Sequence, residues 1–185
     1  PAPYESSETT HFNILDEHGN AVALTYTING LYGNGVTVPG LGFLLNNEMD
    51  DFTTKPGAPN MFGSVEGEAN AIEPKKTPLS SMTPTIVVKD HQPFLLLGAP
   101  GGTRIINAVT QVLLYVIDFG MDVQQAIDQP RFHHQWLPDT LYLEPGFSPD
   151  TRAALEKMGY QVASTSGVAS VEAIMVERPK AEAAA

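Results

Sequence analysis

The stretch from residue 94 to residue 117 constrains this chain most. Phe94-Leu95-Leu96-Leu97 is an apolar run of strand length, and Gly98-Ala99-Pro100-Gly101-Gly102 breaks it. Apolar residues then recur at Ile105, Ile106, Val109, Val112, Leu113, Val116 and Ile117. These steps of 1, 3, 3, 1, 3 and 1 mark one face of an α-helix. A strand delivered through a glycine break into an amphipathic helix must bury one side of each element against a neighbour, which points to layered α and β structure.

The flanking segments agree. Residues 11–16 and 21–28 read as strands joined by Glu17-His18-Gly19-Asn20, a hairpin signal. Residues 85–89 and 94–97 flank Asp90-His91-Gln92-Pro93, which predicts a second hairpin. A helix is expected after Asp122, ending before Pro130. Another has Ser148 as cap, Pro149 at its first position and Gly159 beyond its end. Residues 43–45, 160–163 and 171–176 are further strand candidates. Five glycines lie within residues 30–42, and residues 46–79 show no periodicity; a stretch that long in a compact domain is usually functional. Hairpins interleaved with separate helices predict an α+β domain rather than a parallel βαβ sheet.

Composition narrows the function. With 10 Lys+Arg against 21 Asp+Glu the net charge is −11, and so acidic a chain lacks the clustered cations that nucleic acid requires. There is no cysteine, which removes disulfides, thiolate metal sites and a cysteine nucleophile. The longest apolar run, residues 112–117, falls far short of the roughly 20 residues of a membrane span. Pro1-Ala2-Pro3 suggests a chain that opens in mid-sequence, and residues 177–185 read as a frayed or artificial tail. Residues 1–8 have no signal-peptide character.

Three clusters can carry chemistry. Thr9 and Thr10 precede the first strand and read first as its β-branched start. If the Glu8–Thr9 bond were cut, the freed α-amine of Thr9, with an ordinary pKa of about 8, would be a base beside its own hydroxyl. Gly101-Gly102 enters the main helix, either as a tight turn or as amides turned toward a phosphate or a developing oxyanion. The phosphate reading is poor without a following Gly-Lys-Ser/Thr. Asn46-Asn47-Glu48-Met49-Asp50-Asp51 and Pro78-Leu79-Ser80-Ser81-Met82 are either solvated loops or a place where carboxylates meet a cation and hydroxyls meet a carboxylate; the calcium-loop pattern is absent. Adjacent His133 and His134 point to opposite faces of a strand, so no metal site is predicted.

In this order the clusters resemble the small subunit of the γ-glutamyltranspeptidases. The resemblance rests on Thr9-Thr10-His11-Phe12, Gly19-Asn20-Ala21-Val22, Thr25-Tyr26-Thr27-Ile28-Asn29, Leu44-Leu45-Asn46-Asn47-Glu48-Met49-Asp50-Asp51-Phe52, Pro78-Leu79-Ser80-Ser81-Met82-Thr83-Pro84-Thr85, Pro100-Gly101-Gly102 and Pro130-Arg131-Phe132-His133-His134-Gln135-Trp136. It implies a four-layer αββα sandwich of the N-terminal-nucleophile hydrolase type. It implies that residues 1–8 end a precursor segment, that residues 9–176 form the catalytic small-subunit domain and that residues 177–185 are a tail outside the family pattern.

The resemblance also implies roles. Autocleavage between Glu8 and Thr9 frees Thr9, whose hydroxyl attacks the γ-carbonyl of glutathione or another γ-glutamyl compound. The resulting ester passes to water or to an amino acid or peptide amine, with no metal or cofactor. Thr27 would orient Thr9. Asn29, Glu48 and Asp51 would read the substrate ammonium, and Ser80 and Ser81 its carboxylate. Gly101 and Gly102 would form the oxyanion hole. A large subunit from the same precursor is the implied partner, and the periplasm or the outside of the cell the implied location. Phe62, in the stretch 56–63 that resembles a lid, departs from relatives with tyrosine there. Phenylalanine cannot make the hydroxyl bond to the ammonium-reading asparagine. The alternative enzyme reading is a cephalosporin (glutaryl) acylase of the same superfamily, and the non-catalytic one is an unprocessed fragment.

Overall fold

The computed structural model describes residues 9–177. Glu8 and residues 178–185 of the tail lie outside the described residues. Eleven regular elements follow in order. Strands β1 (Thr10–Leu15), β2 (Ala21–Tyr26), β3 (Thr85–Lys89) and β4 (Gln92–Gly98) precede helices α1 (Ile105–Ile117) and α2 (Val123–Asp128). Then come β5 (Phe132–His133), β6 (Leu141–Leu143), helix α3 (Pro149–Lys157), β7 (Val162–Ser164) and β8 (Glu172–Met175).

The core is built on β4, the middle strand of the sheet β3-β4-β8. Leu95, Leu96 and Leu97 are wholly buried because both faces of the strand are covered. Leu95 and Leu97 join Ile105, Ala108, Val109, Val112 and Val116 of α1 in one apolar cluster. Alternation sends Leu96 and Gly98 to the opposite face, where the hairpin β1–β2 packs and the His11 ring lies directly on Gly98. Only glycine fits there, since a Cβ at residue 98 would overlap the ring. Burial of each large side chain contributes about 1.5–3 kcal/mol, so this cluster dominates the stability of the domain.

The helix differs from its predicted face in one respect. Ile106 and Ile117 are half exposed, while Ala108 and Gln111 are buried in their place. Gln111 is tolerated because its amide acts as a strand partner for β5. Its Nε2 donates to Phe132 O at 2.8 Å and its Oε1 accepts from Phe132 N at 3.0 Å.

Both predicted hairpins are present. In the second, Gln92 and Pro93 belong to the strand rather than the turn, which is only Asp90-His91, both at positive φ. Pro93 is accepted because β8 pairs only with residues 95–98, so no ladder hydrogen bond is asked of it on that side. Asp122 and Ser148 cap α2 and α3 as expected, accepting from Gln125 N at 2.8 Å and Thr151 N at 3.1 Å. The strand expected at 43–45 is only an isolated bridge, Thr37↔Leu44, because left-handed turns at Gly40 and Gly42 fold the segment back on itself.

The exclusion of parallel βαβ structure fails locally. Strand β6 pairs parallel with β7, and α3 makes the crossover. At three residues, β6 was too short to leave a signal. A buried ion pair fixes this corner. Arg131 Nη2 lies 3.3 Å from Glu144 Oε1, and the same carboxylate accepts from Arg131 N and Val168 N, each at 2.7 Å.

Candidate active site

The site starts from the register of the first hairpin. Thr10 pairs with Tyr26 and His11 with Thr25, so extending the ladder by one step sets Thr9 opposite Thr27. Thr9 Oγ1 donates to Thr27 Oγ1 at 3.1 Å, and Thr27 Oγ1 also accepts from Asn29 N at 2.8 Å. The hydroxyl hydrogen of Thr9 is thereby directed to one side, and its lone pairs face the other. Thr9 is 8% exposed. His11, the nearest imidazole in sequence, is committed elsewhere: Nδ1 meets Thr25 Oγ1 at 2.8 Å and Nε2 meets Asn13 Oδ1 at 3.0 Å.

Asn29 continues the chain of contacts. It is buried and sits at φ 72, a left-handed conformation that asparagine tolerates better than most residues. Its Nδ2 donates to Asn47 O at 3.2 Å and to the Met61 sulfur at 3.6 Å. The 56–63 stretch therefore does touch Asn29, through the thioether of Met61 next to Phe62. Sulfur is a weak acceptor, so the tie is looser than a phenol would make.

Glu48 and Asp51 occupy the ends of a single 3₁₀ turn, Glu48–Asp51. Residues three apart eclipse one another in that geometry, which stacks the two carboxyls, and they hydrogen-bond. Burial, then the Glu48 charge and hydrogen bond, then Asp50 and Glu66, push Asp51 up to about 7; burial also raises Glu48. The pair holds one proton between them over a range in which ordinary carboxyls are ionised.

The two serines differ. Ser81 Oγ donates to Gly102 O at 2.9 Å, whereas Ser80 Oγ accepts from Met82 N at 3.2 Å. Ser80 keeps its own hydrogen for another acceptor. Ser81 uses its hydrogen to tie this strand-like segment to the glycine turn.

Gly101 (φ 145) and Gly102 (φ 56) lead into α1 through a 3₁₀ turn, Gly102–Arg104. A Cβ at residue 101 would come to 2.8 Å from Ala169 Cβ, and one at 102 to 2.9 Å from the Phe62 ring. Among the described residues neither glycine N–H finds an acceptor. Two unpaired amides at a helix entrance are suited to a developing negative charge.

Two clefts flank the Phe62 ring. One, of about 360 Å³, lies between the 46–79 segment and the start of α1 and is bordered by Asp51, Phe62, Ser80, Ser81, Asn107 and Gln135. The other, of about 340 Å³, is bordered by Met61, Gly101, Arg104, His133, Gln135 and Tyr142. Thr9 borders neither. Its hydrogen-bonded run through Thr27 and Asn29 reaches the second cleft at the Met61 sulfur. The histidines diverge as predicted: His133 is buried, while His134 Nε2 turns to Asp139 Oδ1 at 2.9 Å.

Sequence reasoning gave no role to the residues that hold the long segment together. Asn60 Oδ1 accepts from Phe62 N and Ser64 N. Asn70 reaches Asp51 O, the Glu66 carboxylate and Leu79 N. Asn47 Oδ1 accepts from Gly30 N at 2.7 Å. The signal was the density of asparagine in a segment without periodicity.

The α–β–β layering, with a threonine hydroxyl at the head of the first strand, is that of the N-terminal-nucleophile hydrolases. The sequence profile of the family described as Gamma-glutamyltranspeptidase matches residues 2–185, and the chain belongs to this family. It is 55% identical over 175 residues to a glutathione hydrolase proenzyme of Escherichia coli (strain K12), covering 95% of this chain and 30% of that protein. The chain thus spans about a third of the length of the curated relatives it matches. It resembles the structure of a threonine-to-alanine mutant of Helicobacter pylori gamma-glutamyltranspeptidase, with a TM-score of 0.89 and 53% identity over 94% of this chain and 93% of that one. A cephalosporin acylase from Bacillus halodurans gives a TM-score of 0.75 and 25% identity, covering 94% of this chain and 32% of that one.

Proposed function

We propose that this chain is the catalytic portion of an autoprocessed enzyme that transfers the γ-glutamyl group of glutathione and related compounds to water or to an amino acid or peptide amine. The observation that carries this reading is the hydrogen-bonded run Thr9–Thr27–Asn29, which links a hydroxyl at the head of β1 to the segment bearing the acidic pair.

Cleavage of the Glu8–Thr9 bond frees an amine with an ordinary pKa of about 8, close enough to neutral to act as general base. The amine takes the hydroxyl proton while Oγ1 forms a bond to the substrate γ-carbonyl. The carbonyl oxygen becomes an oxyanion and is stabilised by the Gly101 and Gly102 amides. Collapse expels the leaving amine, which takes the proton from the Thr9 ammonium, and a γ-glutamyl ester remains on Thr9. Water or an acceptor amine then attacks the ester, and Thr9 Oγ1 leaves with a proton. Asn29, Glu48 and Asp51 hold the substrate ammonium; Ser80 holds its carboxylate, joined by Ser81 once that hydroxyl turns from Gly102 O to the substrate. Reading a zwitterion at both ends gives specificity, since an analogue lacking either charge leaves buried polar groups unpaired.

The partner in this reading is a large subunit cut from the same precursor. The hairpin β1–β2 supports it: Phe12, Ile14, Val22, Leu24 and Tyr26 share its outer face and are exposed, while His11, Asn13, Ala21, Ala23 and Thr25 face inward. An apolar outer face of this kind marks an interface, and a helical layer over it would complete the four-layer sandwich. The enzyme is placed in the periplasm or outside the cell. Among the described residues no helix is long and apolar enough to cross a membrane.

The test is expression of the complete precursor. Mass spectrometry should find a chain beginning at Thr9, and γ-glutamyl-p-nitroanilide should be hydrolysed. A Thr9→Ala variant should neither cleave nor turn over; activity retained in that variant overturns the proposal. The likeness to the acylase raises the second reading, a glutaryl amidase. Glu48 and Asp51 weigh against it, because a substrate with no amine leaves an anionic pair without a counter-charge. Preference for glutaryl over γ-glutamyl anilide would reverse the choice.

A further inference from the structure

Gln135 is the one side chain bordering both clefts that also bonds to three separate parts of the site. Its Oε1 accepts from Thr103 Oγ1 at 2.7 Å, in the turn between Gly102 and α1. The same oxygen faces His133 Nε2 at 2.8 Å. Its Nε2 donates to Gly63 O at 3.1 Å and to Leu137 O at 3.0 Å. The two carbonyls can only accept, so the orientation of the amide is determined: Nε2 faces the lid stretch and Oε1 faces the helix entrance.

His133 strengthens that assignment. It is 1% exposed, and burial, followed by the charges of Arg104 and His134, holds its pKa below the ordinary histidine value against the raising effect of the Gln135 bond. The neutral ring has one N–H. Nε2 carries it toward Gln135 Oε1 at 2.8 Å, and Nδ1 lies 2.6 Å from Oδ1 of the Asn107 side-chain amide, which presents its nitrogen to the ring only after a 180° turn.

The other contacts of the lid stretch show what this bond adds. Met61 N donates to Asp50 Oδ2 at 3.0 Å, which pins the stretch to the turn carrying Glu48 and Asp51. The Phe62 ring lies over Gly102 by apolar contact alone. Gly63 O to Gln135 is the only hydrogen bond between residues 59–63 and the glycine-turn side among the described residues. On the glycine-turn side, the hold on this stretch therefore depends on Gln135.

We propose that Gln135 is a positioning residue that latches the 59–63 stretch over the Gly101-Gly102 turn, and so sets the occupancy of the γ-glutamyl cleft without touching the reacting atoms. The inference rests on the function proposed above for its kinetic arm alone.

The test uses Gln135→Glu in the assembled enzyme. The carboxylate keeps the acceptors for Thr103 and His133 and loses both donors, so it repels Gly63 O. Amide exchange followed by mass spectrometry should rise about tenfold across residues 56–66, the effect of losing one net hydrogen bond, with residues 108–117 unchanged. KM for γ-glutamyl-p-nitroanilide should rise about tenfold, with kcat within about threefold of wild type. Thr103→Val, which removes one contact that orients the amide, should move exchange and KM the same way by about threefold. It also stands alone if Gln135→Glu does not fold. Lid exchange at the wild-type rate in either folded variant overturns the latch, as does a fall in kcat with KM unchanged. An inactive wild-type enzyme counts against the proposed function and leaves the exchange arm to decide the latch.

Discussion

Residues 85–117 and residues 46–79 hold their shapes by different forces. The first is a hairpin and a helix closed over Leu95, Leu97, Val109 and Val112. The second has two short 3₁₀ turns and two isolated bridges, and side chains such as Asn60 and Asn70 do what a ladder would otherwise do. Apolar burial is non-directional and spread over many atoms, so the first region should resist any single polar change. The second depends on a few directional bonds, each of which leaves an unpaired group when lost. That difference suits a site: the core supplies a rigid base, and the loop carries the groups that must be placed and moved.

The largest effect should follow Leu97→Ala. Deleting a wholly buried side chain beneath α1 should cost about 2–5 kcal/mol in urea unfolding, with KM per folded enzyme unchanged. A changed KM would mean that the two regions are not separable. Gly102→Ala should act in the opposite sense. At φ 56, with the Phe62 ring 2.9 Å from the new Cβ, it should lower kcat about 10²-fold by displacing the proposed oxyanion donor, while stability falls by only about 1–2 kcal/mol from the left-handed backbone. Asn70→Ala should have the smaller stability effect expected of a local tie, about 1 kcal/mol globally, but should speed amide exchange across residues 51–54 and 66–79. A global loss as large as that of Leu97→Ala would show that the segment belongs to the core.

The same contrast explains what could be read in advance. The strand, glycine break and amphipathic helix were legible because burial imposes periods of two and 3.6. Caps at Asp122 and Ser148 were legible because a capping bond is local. The Thr9–Thr27 pairing came from the resemblance alone, and the hairpin register, visible only in the structure, explains it. The parallel β6–β7 pair was not legible, since three-residue strands carry no period. Gln135 and Asn70 were not legible because their partners are 72 and 19 residues away in sequence, and a single chain encodes no such pairing. Ser81 shows the limit of transferring a role: its residue type suits a carboxylate donor, yet its hydrogen is given to Gly102 O.

The acidic turn is tested by the sign of a pH dependence. Asp51 is raised from 3.8 to about 7, chiefly by burial and then by Glu48. Between about pH 4 and pH 7 the folded chain therefore keeps a proton that the unfolded chain releases, so this group's contribution to stability falls as pH rises through that window. His133 has the opposite sign: its lowered pKa means that the folded chain resists a proton the unfolded chain would take, so its contribution rises with pH below about 6.5. The measurement is thus a difference. Urea midpoints of wild type and Asp51→Asn at pH 5, 6, 7 and 8 should diverge, the variant gaining relative to wild type with each step up to pH 7 and no further by pH 8. Binding should run the other way. On the function proposed above, a substrate ammonium needs the ionised pair, so wild-type affinity for a γ-glutamyl donor should rise from pH 5.5 to 7.5 while that of Asp51→Asn stays low and flat. Parallel midpoints for the two proteins would show that Asp51 does not hold the shared proton of this turn.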